Sequence, residues 1–83
     1  MRVVAEIPHP EFRISVFHMN QKYILKIEYG PFEQIYKFSE FDFMLHEPGQ
    51  LAACVNDAFL KEVGAVFSSM KKNADLGFES IRL

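Results

Sequence analysis

The side chains best suited to chemistry lie in or near two short stretches of the chain. They are the residues whose types bind metals or catalyse reactions: His18, Glu40, Asp42, His46, Glu47 and Cys54. Imidazole, carboxylate and thiolate groups are zinc ligands, and a cysteine beside a histidine can act as a nucleophile. Their spacing matches no C-x-x-C, H-x-x-x-H or H-E-x-x-H signature. The sequence therefore predicts no metal site, no cofactor and no catalytic residue.

Acid–base and phosphate chemistry are equally unsupported by the pattern. Glu40 and Asp42 are the one close pair of carboxylates, and nothing around them predicts the apolar pocket that would raise a carboxyl pKa. The four glycines are dispersed, so they form no phosphate-binding loop. We expect a protein that is not an enzyme.

Length and charge narrow the class of partner. Eighty-three residues make one domain, 1–83, and 49% hydrophobic with 24% charged residues is ordinary for a globular chain. The net charge is −2, and lysine and arginine form no basic run. Nucleic-acid binding and polybasic membrane contact both need concentrated positive charge. The composition disfavours both.

The compartment is predicted from the cysteine content and the first residues. Cys54 is the single cysteine, so no internal disulfide can form, as is typical of a reducing environment. Glu6, followed closely by two prolines, interrupts any signal-peptide pattern, and no apolar run approaches the ~18 residues of a membrane span. We expect a cytoplasmic protein.

Alternating apolar residues predict four strands in the first part of the chain, over residues 2–7, 12–18, 22–29 and 33–38. Short connections with turn residues between them favour a sequential antiparallel meander across 1–38. Alternation places Val3, Ala5 and Ile7 on the core face of the first strand. It leaves an outer sheet face with four apolar residues among charges: Val4, Phe17, Ile24 and Ile35.

The second part of the chain predicts one long helix. Residues 39–47 form a packed connection, either a short fifth strand or an ordered loop, because Phe41, Phe43 and Leu45 alternate. Pro48 suits a first helical turn, and an amphipathic pattern runs over 48–73. The fold class is therefore α+β: a four-stranded antiparallel meander with one long C-terminal helix packed on it.

The predicted helix is too long and too broadly apolar for its sheet. About 25 residues span ~38 Å, whereas strands of this length span ~20–23 Å. Leu60 and Phe67 also lie on a flank outside the main apolar stripe. Either residues 39–47 and the tail 74–83 cover that flank, or a second copy of the chain does. A bend at Gly64 would shorten the mismatch.

The tail adds further apolar residues, Phe78, Ile81 and Leu83. It could dock on the sheet, form an edge strand or bind a partner. Leu60, Phe67 and Phe78 are accordingly the candidate interaction residues, and a homodimer is the predicted assembly because two-fold dimers give small domains additional burial.

A resemblance agrees with this picture. Residues 3–38, from Val3-Val4-Ala5-Glu6-Ile7 through Lys22-Tyr23-Ile24-Leu25-Lys26 to Glu33-Gln34-Ile35-Tyr36-Lys37, resemble a set of short uncharacterised bacterial proteins of the Bacteroidetes type. The resemblance covers less than half of the chain and implies no activity and no site residues. It implies a bacterial, cytoplasmic, stand-alone protein.

Two binding roles stay open after catalysis is set aside. The first is a small protein-interaction or assembly module, homodimeric, that uses the helix flank and the tail, with an unidentified protein partner as a variant of this role. The alternative is a small-ligand or single-stranded nucleic-acid binding module that uses the open sheet face. An exposed apolar patch would favour the first, and a concave pocket with converging polar groups the second.

Overall fold

The computed structural model describes residues 2–45 and 47–81. His46 and Leu83, which entered the predictions above, lie outside the described residues. The chain forms a four-stranded antiparallel meander followed by one C-terminal α-helix, so the predicted α+β fold is confirmed. The elements in chain order are β1 (Arg2–Ile7), β2 (Arg13–Met19), β3 (Lys22–Tyr29), β4 (Phe32–Ser39), a 3₁₀ helix (Pro48–Cys54) and α1 (Asp57–Ile81).

Tight turns fix the register of the sheet. The β2–β3 turn holds Asn20 and Gln21 at φ of 52° and 62°, the left-handed pair that matches the twist of a two-residue hairpin. Gly30 takes φ of 59° in the β3–β4 turn, where a side chain would be strained. Both hairpins close without slippage, so the alternation seen in the sequence becomes two well-defined sheet faces.

A β-bulge in β1 changes one predicted face. Val3 pairs with Phe17 and Ala5 pairs with Val16, which leaves Val4 as the extra residue between them. Val3 therefore shares the outer face with Phe17, and Val4 packs against the core. The prediction had these two valines reversed, because alternation alone assumes an unbroken strand.

The core lies between the inner sheet face and α1. Its most buried sheet residues have almost no exposed surface: Ile14, Val16, Leu25 and Ile27. Val63 and Phe67 close the core from the helix side, and Leu51 closes it from the 3₁₀ helix. The 3₁₀ helix contacts β1 at one edge of the sheet, and α1 contacts β4 at the other edge.

The helix begins later than predicted. Pro48 opens the 3₁₀ helix, whose first turn is closed by a capping box between Glu47 and Gln50. The chain then breaks at Val55, and α1 starts anew after Asn56. The Asn56 side-chain oxygen accepts a hydrogen bond from the Phe59 backbone N–H at 3.0 Å, the geometry of a helix N-cap.

The helix also ends later than predicted. Residues 74–81 continue α1 and do not form a separate tail. Gly64, the predicted site of a bend, lies inside α1. The interruption of the predicted helix falls at Val55, between the 3₁₀ helix and α1. α1 packs on the sheet as far as Met70, and residues 71–81 are exposed. The radius of gyration is 14.9 Å, compared with about 12 Å for a compact domain of this length. The molecule is elongated because α1 extends beyond the sheet.

The connection 40–45 is an ordered turn with a partly exposed surface. Backbone hydrogen bonds join Phe43 to Ser39 and Leu45 to Glu40, and this segment forms no strand. Leu45 packs against the core, and Phe43 contacts the Phe38 ring edge-on at 5.3 Å. Phe41 is 74% exposed, so the predicted packing holds for only part of the segment.

Candidate interaction site

Of the residues suited to chemistry, those that the structure describes serve structural roles or lie in solvent. His18 Nε2 is hydrogen-bonded to Glu40 Oε1, and the His18 ring packs on Tyr23 with centroids 4.8 Å apart. This contact ties the end of β2 to the turn after β4. Among the described residues, this contact joins one imidazole and one carboxylate.

The remaining described members of that group do not converge into a reactive centre. Burial raises the pKa of the Cys54 thiol, which keeps it protonated and weakly nucleophilic at neutral pH. Glu47 caps the 3₁₀ helix, and Asp42 is exposed. Among the residues that the structure describes, no three His, Cys, Asp or Glu side chains lie close enough to hold a metal ion.

His9 stabilises the turn between β1 and β2. Its Nδ1 accepts hydrogen bonds from the backbone N–H groups of Glu11 and Phe12, both at 3.1 Å. Its ring also stacks on Phe12 with centroids 4.9 Å apart. These contacts orient Phe12, whose ring lies 5.6 Å from that of Phe67 on α1.

Phe67 belongs to the core, in contrast to the prediction that it presents a surface. It is 4% exposed, and its ring lies 5.6 Å from that of Phe12 and 5.7 Å from that of Tyr29. These two ring neighbours come from neither of the segments that were predicted to cover the flank, 39–47 and 74–83. Phe12 lies before β2 and Tyr29 is the last residue of β3, at the end of the sheet opposite residues 39–47.

Leu60 and Phe78, the other two candidate residues, lie in different surroundings. Leu60 is half-buried against the core in the part of α1 that packs on the sheet. Phe78 is 57% exposed in the part that projects beyond the sheet. The structure therefore does not bring the three candidates together into one surface, and Phe78 alone of the three is well exposed.

An open cleft of about 280 Å³ lies where α1 leaves the sheet. Its floor is formed by the contacting rings of Phe12, Tyr29 and Phe67, with Gly64 on the helix side. Three polar side chains stand at its rim: Glu11, Ser68 and Lys71. Because Gly64 lacks a side chain, the helix backbone borders the cleft directly. We call this feature the Phe67 cleft.

The projecting half of α1, residues 71–81, carries exposed apolar side chains next to this cleft. Leu76 is 68% exposed and Ile81 78% exposed, in addition to Phe78. Charges are interspersed, and Lys71 pairs with Asp75 one turn later at 3.4 Å. A helix with this mixture of apolar and charged residues normally buries one face against another element.

The outer sheet face is a weaker candidate surface. Phe17 is half-buried and Ile24 is 6% exposed, so their side chains already shield each other on the sheet. Lys26 lies 3.3 Å from Glu33 and 3.8 Å from Glu28, so the positive charge on this face is paired with carboxylates. This face offers no row of exposed aromatic rings on which bases could stack.

Sequence reasoning missed the Phe67 cleft because its walls come from three distant parts of the chain. Phe12 follows the first prolines, Tyr29 precedes the Gly30 turn, and Phe67 lies on the helix. The available signal was the pair of aromatic residues beside turns at the same end of the meander. A meander places those turns together, and a helix crossing that end must meet both.

Comparisons with known proteins identify no relative from which a role for this surface could be inferred. No family model, curated protein or solved structure matches the chain. Among the described residues, no helix combines the length and apolar character needed to cross a membrane.

Proposed function

We propose that this protein is a small interaction or assembly module that forms a homodimer through the projecting half of α1. The role is binding and not catalysis, in a reducing, cytoplasmic compartment. An unidentified protein partner would then be recruited by surfaces that the dimer presents.

The continuation of the apolar helix stripe beyond the sheet carries this proposal. Val63, Phe67 and Met70 face the sheet, and the same helical spacing continues through Ala74, Phe78 and Ile81, where the sheet has ended. Burial of apolar surface contributes roughly 25 cal/mol per Å². A second copy that covered the projecting stripe would recover this free energy for both chains at once, as a two-fold interface does.

The direct test is the solution mass across a wide concentration range, by light scattering after gel filtration. We expect a mass that rises from the 9.6 kDa monomer toward the dimer with concentration. A strict monomer at all concentrations would contradict the proposal.

A matched pair of substitutions locates the interface. Phe78→Glu should raise the dimer dissociation constant at least tenfold, because it places a charge in the apolar stripe. Leu76→Glu makes the same change on the opposite side of the helix and should leave the dimer nearly intact. Equal effects of both substitutions would argue against this face of α1.

A small-ligand module is the second candidate, and the Phe67 cleft is the observation that favours it. The cleft lies near the lower end of the ~300–1,000 Å³ range of small-molecule sites, with apolar walls and a few polar groups at the rim. Titration with an aromatic carboxylate, followed by NMR shifts at Phe12 and Gly64, tests this role. Saturable binding to the monomer would support it, and unchanged spectra would exclude this ligand class.

A further inference from the structure

We infer that the two helices of the dimer run antiparallel, with the two-fold axis beside residues 72 and 73, so that Phe78 of each copy fills the Phe67 cleft of the other. This inference rests on the proposed function and specifies its geometry. The occupant of the cleft is a second copy of this chain.

The first support is the position of Phe78 relative to the cleft. The helix residues that line the cleft are Gly64, Phe67, Ser68 and Lys71, which lie on one flank of α1. Phe78 follows Phe67 by eleven residues, which is about three full helical turns and returns to within ~20° of the same flank. An antiparallel partner centred between residues 72 and 73 therefore places Phe78 opposite Phe67.

The second support is the size and lining of the cleft. A cavity of about 150 Å³ is enough to bind benzene, and the Phe67 cleft measures about 280 Å³. Its three aromatic rings already contact one another with centroids 5.6–5.7 Å apart. A phenyl ring that lies on this floor would gain the edge-to-face and tilted neighbours that aromatic side chains favour.

The third support is the open space at Gly64. Apart from the nearby backbone of α1 itself, no heavy atom of the described residues lies within 4 Å of the place where a Cβ of residue 64 would be. In the antiparallel arrangement Ile81 of the second copy lies opposite Gly64. The absence of a side chain there lets the end of one helix approach the backbone of the other closely.

The fourth support is the order of charges along the projecting half. Lys71 and Lys72 precede the proposed axis, whereas Asp75 and Glu79 follow it. Antiparallel pairing brings the positive part of each helix beside the negative part of the other. Parallel pairing in register would oppose like charges, which is destabilising, and would also align the two helix dipoles.

Substitutions at two neighbouring helix positions test occupation of the cleft. Gly64→Glu places a carboxylate in the Phe67 cleft and should weaken dimerisation at least tenfold, with the helix content retained because glutamate favours helices. Ala65→Glu introduces the same charge at an exposed position on the side of α1 away from the apolar stripe. It should change the dissociation constant less than threefold. A tight dimer in the Gly64→Glu variant would overturn the inference.

Distances between spin labels test the direction of the helices. On a Cys54→Ser background, Asn73→Cys or Ser80→Cys supplies the single thiol for a spin label, and intermolecular distances are measured by double electron–electron resonance. In the antiparallel dimer, residues 80 of the two copies lie about 22 Å apart along the helix axes, whereas residues 73 lie at nearly the same height and are separated only across the helix pair. We expect the distance at position 80 to exceed the distance at position 73.

The outcomes separate the inference from the function on which it rests. Equal distances at both positions would indicate a parallel dimer, which overturns the inference and retains the homodimer. Distances at both positions longer than two packed helices allow would place the interface elsewhere and contradict the use of this helix. The absence of any intermolecular distance at high concentration would contradict the proposed homodimer itself.

Discussion

The two halves of α1 have the same residue pattern and different surroundings. Residues 57–70 bury Val63 and Phe67 against the sheet, whereas residues 71–81 carry Phe78 and Ile81 in exposed positions. Both halves belong to one continuous helix with no break between them. The sheet extends beneath α1 only as far as Met70, so the same stripe is core before this residue and surface after it.

An apolar stripe on a helix therefore predicts that one face is buried. It does not predict which element buries that face. In the docked half, the strands and two aromatic residues beside turns, Phe12 and Tyr29, supply the cover. In the projecting half, Leu76, Phe78 and Ile81 are exposed, and we propose that a second copy of the chain supplies the cover. The comparison therefore predicts that substitutions in the first half change the stability of the monomer and those in the second half change its association.

The largest expected difference between the halves is at their two phenylalanines. Phe67→Ala should lower the free energy of unfolding by about 3–5 kcal/mol, because it removes a buried ring and leaves a cavity. Phe78→Ala should change the monomer by less than ~0.5 kcal/mol. Urea unfolding measures both, at concentrations low enough for the wild-type protein to be monomeric. Similar losses for the two variants would abolish the distinction between the halves.

A smaller effect is expected at the polar contact that attaches the docked half to the sheet. Gln34 is buried, and its side-chain amide donates a hydrogen bond to the Val63 carbonyl at 3.0 Å while accepting one from the Tyr36 hydroxyl at 2.5 Å. Gln34→Ala should lower the free energy of unfolding by about 1–3 kcal/mol.

The control at this position is Gln34→Met, which keeps most of the side-chain volume and removes both hydrogen bonds. A loss of stability in both variants assigns the effect to the polar contact. Full stability of Gln34→Met would assign it to packing. An unchanged Gln34→Ala variant would mean that this contact contributes nothing to holding the helix on the sheet.

The start of the docked half should show an effect of about 1 kcal/mol. Asn56→Ala removes the side-chain acceptor for the Phe59 N–H and should destabilise the domain by this amount, whereas Asn56→Asp should retain most of the stability. Thermal unfolding of the three proteins provides the measurement. A helix that in fact began at Pro48 would make residue 56 interior, and the alanine variant would then be stabilised.

The smallest effects are expected at the two glycines of α1. Gly64→Ala should increase the free energy of unfolding by up to ~1 kcal/mol, because alanine favours the helix and its methyl group meets open space. Gly77→Ala lies in the projecting half and should leave global stability unchanged while reducing local fraying. Denaturation and amide exchange distinguish the two effects. Equal gains in global stability would mean that the projecting half unfolds together with the core.

Much of the fold could be predicted from the sequence because alternation and turn residues agree. The strand containing Val16, the strand containing Leu25 and the turn at Asn20 all point to the same hairpin, and the structure contains it. The bulge at Val4 could not be predicted, because one extra residue in a short strand leaves no mark in the alternation. It exchanged the faces of Val3 and Val4.

The helix boundaries were less predictable because two start signals compete. The first signal, Pro48, begins the short 3₁₀ helix. The second signal, Asn56-Asp57, begins α1. A helical wheel drawn from Pro48 merges the two elements. The same drawing placed Phe67 on an uncovered flank, since it contains no information about Phe12 and Tyr29, which reach the helix from the far end of the sheet.

The measurement that tests the central claim most directly is hydrogen exchange along α1 as a function of protein concentration. We predict that amides in residues 57–70 are strongly protected at every concentration, because the sheet covers them. Amides in residues 71–81 should be weakly protected in dilute solution and become protected as the dimer forms. Protection of residues 71–81 that equals that of the docked half in dilute solution, or that does not change with concentration, would contradict the account.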